Sequence, residues 1–299
     1  MSLCFRPRAA LAILALSAGL AASAAHAEIV VTDDAGRQLR LAAPAKRIVS
    51  LAPHVTELLF AAGAGDKVVG AVNYSDYPEA ATRLPQVGGY NNVDLEAVAA
   101  LKPDLVVAWK TGNRGGNLDR LSALGIPVYV NEPRSLEDVA SSLETLGRLA
   151  GTQLSAFHAA AAFRERQAML QKRYGQRPPV RTFYQIWNQP LMTVNGEHLI
   201  SKVIALCGGE NVFAGLPQLA PTVGTEAVLA ANPEAIVASG MGEARPEWLD
   251  QWKNWDRLTA SQRGNLFFIP PELIQRHTPR ILDGASRLCA QLEEARARR

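Results

Sequence analysis

Residues 47–78, RIVSLAPHVTELLFAAGAGDKVVGAVNYSDYP, decide the fold. They open on a short apolar run, Ile48-Val49-Ser50-Leu51, bounded by Pro53, which reads as a buried strand. Pro53 sets up a helix start, and Val55, Leu58, Leu59 and Ala62 recur at helical spacing. Gly63 and Gly65 stop that helix, because glycine accepts the left-handed conformation a helix end often needs. Val68, Val69, Ala71 and Val72 form the next strand, and the chain then breaks into a polar, aromatic loop, Tyr74-Ser75-Asp76-Tyr77-Pro78. Strand, helix and strand of this length make a parallel crossover unit, whose ligands sit beyond the carboxyl ends of the strands. The turn at Pro53 and His54 and the loop 74–78 both lie at that end, so both are candidate site segments.

Working outward, the alternation continues. Residues 28–43 read as a hairpin with its turn at Asp33-Asp34-Ala35-Gly36. A helix over 95–101, ended by Pro103, precedes a buried strand over 105–109 (LVVAW) and a glycine-rich loop over 110–117. A helix over 118–124, a strand over 128–130 and a helix over 135–150 follow, the last opened by Ser135 with Glu137 and Asp138. Residues 152–175 are alanine-rich and lack internal turns, and they predict one helix of ~24 residues, about 36 Å long at 1.5 Å per residue. Pro178 and Pro179 end it. The pattern then repeats: strands over 180–186, 235–239 and 266–269, and helices over 199–206, 225–231, 247–254 and 280–297. The fold class is therefore α/β, with two doubly wound parallel-sheet lobes joined by one long spine helix. The expected division is a leader over 1–27, an N-terminal lobe over 28–150, the spine over 151–178 and a C-terminal lobe over 179–299.

The leader expectation rests on Arg6 and Arg8, an uncharged apolar run over 9–22, and the small-x-small site Ala25-His26-Ala27. The run falls short of the ~18 residues a spanning helix needs, which points to export by a cleaved signal peptide. Cys4 precedes the apolar run, away from any lipid-attachment position. Without the leader, the formal net charge falls from +3 to +1, which argues against a nucleic-acid partner. Two cysteines remain, Cys207 and Cys289. In an exported chain an even pair suggests one disulfide, with two buried free thiols as the alternative.

Catalytic signatures are sparse. There is no Gly-x-Ser-x-Gly, no Gly-x4-Gly-Lys-Ser/Thr and no dinucleotide fingerprint after Gly63. His54, His158, His198 and His277 are scattered, and none forms a close metal pair. Tyr74, Tyr77, Tyr90, Trp109 and Trp187 instead fall at strand ends, from both halves. Together they suit a flat apolar ligand with polar edges, whereas the alternative for each alone, Trp109 above all, is a half-buried core aromatic. Glu272 and Arg276, in the loop before the last helix, are placed to hold amide or phosphate groups.

Several segments carry a resemblance: Tyr74-Ser-Asp-Tyr-Pro78, Asp94-Leu-Glu-Ala-Val98, Leu101-Lys-Pro-Asp-Leu-Val-Val-Ala-Trp109, Gly112-Asn113, Cys207-Gly-Gly-Glu-Asn211 and Pro279-Arg280. Over nearly all of 47–292 the chain resembles the periplasmic substrate-binding proteins with a helical backbone (class III). It looks most like their vitamin B12-binding branch. The resemblance implies no catalysis and no cofactor. It implies a monomer that binds cobalamin or a related corrinoid between its lobes, then docks onto the permease subunits of an ABC importer. By the same resemblance, Tyr74, Tyr90, Trp187, Glu272 and Arg276 line the ligand; the strand-end positions add Pro53, Trp109 and His54, the last standing where the relatives have a small residue and being a candidate axial ligand to cobalt. Glu96 and Glu226 dock the permease, and Cys207 and Cys289 pair. Tyr90 and Ala220 stand where the relatives carry tryptophan, and Glu272, Leu273 and Ile274 depart from the relatives' residues. An iron-siderophore or haem ligand in the same class is the alternative, and an exported two-domain α/β enzyme the rival from another class.

Overall fold

The structure is a computed structural model that describes residues 28–113, 116–240, 242 and 244–299. The expected leader and positions 114 and 115 of the glycine-rich loop lie outside the described residues. Two four-stranded sheets organise the chain, and all their pairings are parallel. The N-terminal sheet runs Val68–Ala71, Ile48–Ser50, Leu105–Trp109, Val128–Asn131. The C-terminal sheet runs Gly209–Asn211, Val180–Gln185, Ala235–Ala238, Leu266–Phe268. Each therefore has the order second-first-third-fourth. The winding reverses between the first and third strands, and a crevice opens there at the carboxyl end. Ile48–Ser50 and Ala235–Ala238 are buried throughout, as strands covered by helices on both faces must be.

Local signals explain the helix boundaries. Pro53 occupies the first turn of Pro53–Ala61. Ser135 and Asp138 form a capping box at the head of Leu136–Ala150, and Gly151 ends that helix at φ 72°. The spine, Gln153–Tyr174, is 22 residues long. It folds straight back on Leu136–Ala150, so closely that a Cβ on Gly147 would lie 2.2 Å from the Ala156 Cβ. Arg164 grips Glu137 and Glu144 of that helix. Arg166 reaches Asp283, at 2.6 Å, on the terminal helix Ile281–Ala297. The spine is thus stitched to a helix of each lobe. One apolar cluster extends from Val31 and Val55 through Ala156 and Phe163 to Ile281 and Leu292, so both lobes and the spine share a core.

Three departures from the sequence reading have physical causes. Glu247–Asn254 is a 3-10 helix rather than an α-helix, and its buried residues, Leu249 and Trp252, lie three apart, which suits that tighter winding. Gly209–Asn211 is a strand, although Gly208-Gly209 reads as a helix stop. Pairing with Val180 and the hydrogen bonds of Asn211 to Val194 and Ser201 impose it. A short hairpin, Gly88–Gly89 with Asn92–Val93, had no apolar run to announce it. The cysteine alternative resolves to a bond: Cys207 and Cys289, both fully buried, form a disulfide between the end of Leu199–Leu206 and the terminal helix.

Candidate functional site

The carboxyl ends of the two sheets meet along one seam. On the N-terminal side the switch point lies between the residues that follow Ile48–Ser50 and those that follow Leu105–Trp109. Asn113 organises it: its side-chain amide donates to the Leu51 carbonyl (2.9 Å) and the Tyr90 carbonyl (2.7 Å), while its oxygen accepts from Trp109 N–H (2.6 Å). Three strand-end loops are thereby tied together. Gly112 has a steric reason, since a Cβ there would lie 1.8 Å from the Trp109 ring. The Ala-Trp-x-x-Gly-Asn pattern is thus a device for laying the indole flat over its own loop. Tyr90 packs on that indole at 5.5 Å between centroids, and His54 meets it edge-on at 5.3 Å.

The four residues 74–77 of that loop have separate tasks. Tyr74 stands out, 75% exposed, on a backbone at φ 66° that non-glycine residues rarely adopt. Ser75 is buried, and its hydroxyl joins Thr56, which also donates to Ser50 (2.8 Å). Asp76 pairs with Arg276 at 2.5 Å. Tyr77, 45% exposed, lies 3.8 Å beneath the Arg280 guanidinium. Burial works to raise the Asp76 carboxyl. The hydrogen bond and charge of Arg276 and the charge of Arg280 prevail and hold it below the usual range.

Those two arginines come from the other lobe, and both also reach Glu57. Arg276 Nη1 lies 2.8 Å from Glu57 Oε1, and Arg280 donates through Nε (2.9 Å) and Nη2 (2.6 Å) to the same carboxylate. Beside this ionic group runs a line of imidazoles. His54 faces His277 at 6.3 Å, and His277 faces His198 at 5.6 Å. Burial pushes His54 down to about 3, with His277 and Arg276 adding to it, and pushes His277 down to about 4 against the hydrogen bond it donates to the Pro133 carbonyl. Three of the four histidines that look scattered in sequence therefore meet at the seam as neutral rings. His54 Nε2 is shielded from solvent and has no hydrogen-bond partner in the structure. Among the described residues, no group of three or more His, Cys, Asp or Glu is placed to hold a metal ion.

The remaining candidates sit at the C-terminal edge. Trp187 follows Val180–Gln185, bridges to Met192, and donates its indole N–H to the Gln189 carbonyl (2.9 Å). Glu272 lies on the short helix Pro271–Ile274, one residue past its start. Neither makes a hydrogen bond to the N-terminal aromatics. Glu96 and Glu226 are exposed and occupy the same place in the two lobes: second residue of the helix leading into the third strand (Leu95–Ala100 and Thr225–Ala231).

The Periplasmic binding protein family matches residues 48–273. The chain belongs to this family. It is 37% identical over 256 residues to a protein of Vibrio parahaemolyticus named vitamin B12-binding protein, covering 86% of this chain and 92% of that one. A protein of the same name from Yersinia pestis is 39% identical over 260 residues, covering 83% and 86%. The solved periplasmic vitamin B12 binding protein BtuF of Vibrio cholerae superposes with a TM-score of 0.78 at 36% identity, over 85% of this chain and 98% of that one. Family membership makes the chain a binding protein, and a bound ligand would be its cargo. No helix among the described residues is long and apolar enough to cross a membrane.

Sequence reasoning passed over Glu57 altogether, read Asp76 and Arg280 only as members of motifs, and gave Tyr77 a place among the strand-end aromatics without its arginine partner. One signal for Glu57 was available: a lone carboxylate between Val55 and Leu58-Leu59 on a largely apolar helix. Such a group is buried at high cost unless it is paired.

Proposed function

We propose that this protein captures cobalamin at the seam between its lobes and delivers it to the permease of an ABC importer, with no chemistry on the ligand. One observation carries the reading: the strand ends of the N-terminal sheet bear the packed rings Tyr90 and Trp109 and the exposed Tyr74 and Tyr77, whose loop is held by Arg276 and Arg280 of the opposite lobe, in a chain 37–39% identical to proteins named for vitamin B12. A corrinoid is a broad, flat macrocycle fringed by amides. Aromatic faces suit its plane, and polar groups such as Glu272, Arg276 and the strand-end backbone suit its rim. Pro53 and Trp187 complete the lining. His54 Nε2 is shielded from solvent, so axial ligation would require it to become exposed, and the spectrum of bound cobalamin in His54→Ala decides it.

The same reading makes residues 1–27 a signal peptide for export to the periplasm. It divides the rest into a lobe over 28–150, a spine over 151–178 and a lobe over 179–299. Glu96 and Glu226, one exposed carboxylate per lobe, then form the permease contact of a monomer. The test is direct. Residues 28–299 mixed with cyanocobalamin and passed through gel filtration should elute pink, with one equivalent bound and sub-micromolar affinity by calorimetry. Colourless protein that gives no heat would overturn the cobalamin assignment, and haem and ferric siderophores would be titrated in its place.

A further inference from the structure

We propose that Glu57 is the positioning residue of the binding surface: through Arg276 and Arg280 of the opposite lobe, it fixes the loop that presents Tyr74 and Tyr77. This deepens the cobalamin reading and rests on it for its ligand arm. Glu57 does not face solvent, its side chain being 2% exposed. A carboxylate in that position holds its charge only where cations meet it. Both of its oxygens are met, by two guanidiniums from the C-terminal lobe.

Each guanidinium carries the grip onward. Arg276 spends its remaining terminal N–H groups on Asp76, at 2.5 and 3.1 Å, and on the Tyr74 carbonyl at 3.2 Å. The last of these contacts falls on the residue with the left-handed backbone, which needs outside support to stay there. Arg280 covers the Tyr77 ring. Two cations thus face two anions, and the unit is neutral overall. Thr56, next to Glu57 in the chain, holds Ser75 from beneath. The loop is therefore anchored below by its own lobe and clamped from the side by the other. With both terminal nitrogens committed, Arg276 acts on a ligand also through the tyrosine loop it holds. The clasp also couples the two lobes: any change in their separation is transmitted to Tyr74 and Tyr77 through rigid, bidentate contacts.

The test compares Glu57→Gln, Arg280→Lys and the remote control Glu137→Gln, which touches only the spine. Glutamine keeps the size of Glu57 but turns a donor toward the guanidiniums. Lysine keeps the charge of Arg280 but can neither span both oxygens nor stack as a plane. Hydrogen exchange of the unliganded protein should rise about tenfold over 74–78 in both clasp variants, the scale of one lost charge-assisted hydrogen bond. Dissociation of cyanocobalamin should quicken by a similar factor, and the control should match wild type. A purely structural role would raise exchange across the whole seam without favouring this loop. Exchange over 74–78 within about twofold of wild type in both variants, or an unchanged dissociation rate, overturns the proposal. If Glu57→Gln does not fold, Arg280→Lys and Asp76→Asn carry the same two readouts. If wild type retains no cyanocobalamin, the cobalamin reading is what fails, and the exchange arm alone decides the clasp.

Discussion

In the N-terminal lobe two residues separate the first strand, Ile48–Ser50, from the helix Pro53–Ala61; in the C-terminal lobe thirteen separate Val180–Gln185 from Leu199–Leu206. The strand order is the same in both. The tight turn drives a helix head carrying His54 and Glu57 straight into the seam. The long excursion instead turns Trp187 back on Met192, which in turn bridges to Thr222, building a wall of loop. The bracing differs as well. A disulfide joins helices of the C-terminal lobe, whereas the N-terminal switch point is held by the hydrogen bonds of Asn113. One scaffold thus carries two different edges, because strand order is set by the core and the connections are free to vary.

The largest test of this contrast removes the covalent brace. Cys207→Ala with Cys289→Ala closes no loop of 82 residues in the unfolded chain and should lower stability by about 4–5 kcal/mol in the chain-entropy model. Urea unfolding gives the size, and hydrogen exchange should place the loosening in the C-terminal lobe. An equal loss in both lobes would mean that their shared core makes them one cooperative unit.

The opposite lobe is probed by Gly112→Ala. The added methyl meets the Trp109 ring and should cost about 1–3 kcal/mol, with a shift in tryptophan emission and weaker corrinoid binding. Unchanged emission would show that the indole is not held by that contact.

Acid sharpens the contrast further, because His54 belongs to the N-terminal edge. Its folded pKa, about 3, lies below the ordinary 6.5. Below pH 6.5 the unfolded chain takes up a proton that the folded chain refuses until about pH 3, so stability is full above 6.5 and falls as pH drops through that window. The slope is at most about 1.4 kcal/mol per pH unit. His54→Gln should flatten the acid limb of denaturant midpoints by that amount, and an unaltered limb would refute the assignment.

The smallest expected change in the isolated protein concerns the carboxylates that occupy equivalent places. Glu96→Ala and Glu226→Ala should each leave stability within about 0.5 kcal/mol and cobalamin affinity unchanged. Each should nevertheless depress uptake by vesicles containing the cognate permease. Loss in only one variant would break the equivalence of the two lobes at docking.

Much of the scaffold was legible because its signals are local. The Ser135 start with Asp138, the turn-free stretch of the spine and the apolar strand runs each lie within a few residues of what they specify. The edge strand Gly209–Asn211 and the 3-10 winding of Glu247–Asn254 were not legible, since partners elsewhere impose them. The aromatic candidates fared likewise. Their place at strand ends follows from the alternation, but the ring contacts of Trp109 with Tyr90 and His54 depend on three separate loops.

The amino-acid sequence by itself determined the α/β alternation, the spine and the edge at which ligands meet the sheets, because period, turn chemistry and propensity act over short stretches of chain. Only the tertiary structure decided that Glu57 meets Arg276 and Arg280, 219 and 223 residues away, and that His54, His277 and His198 share one seam. No local rule joins positions so far apart. They meet because two separately wound sheets turn their carboxyl ends toward each other across a shared core.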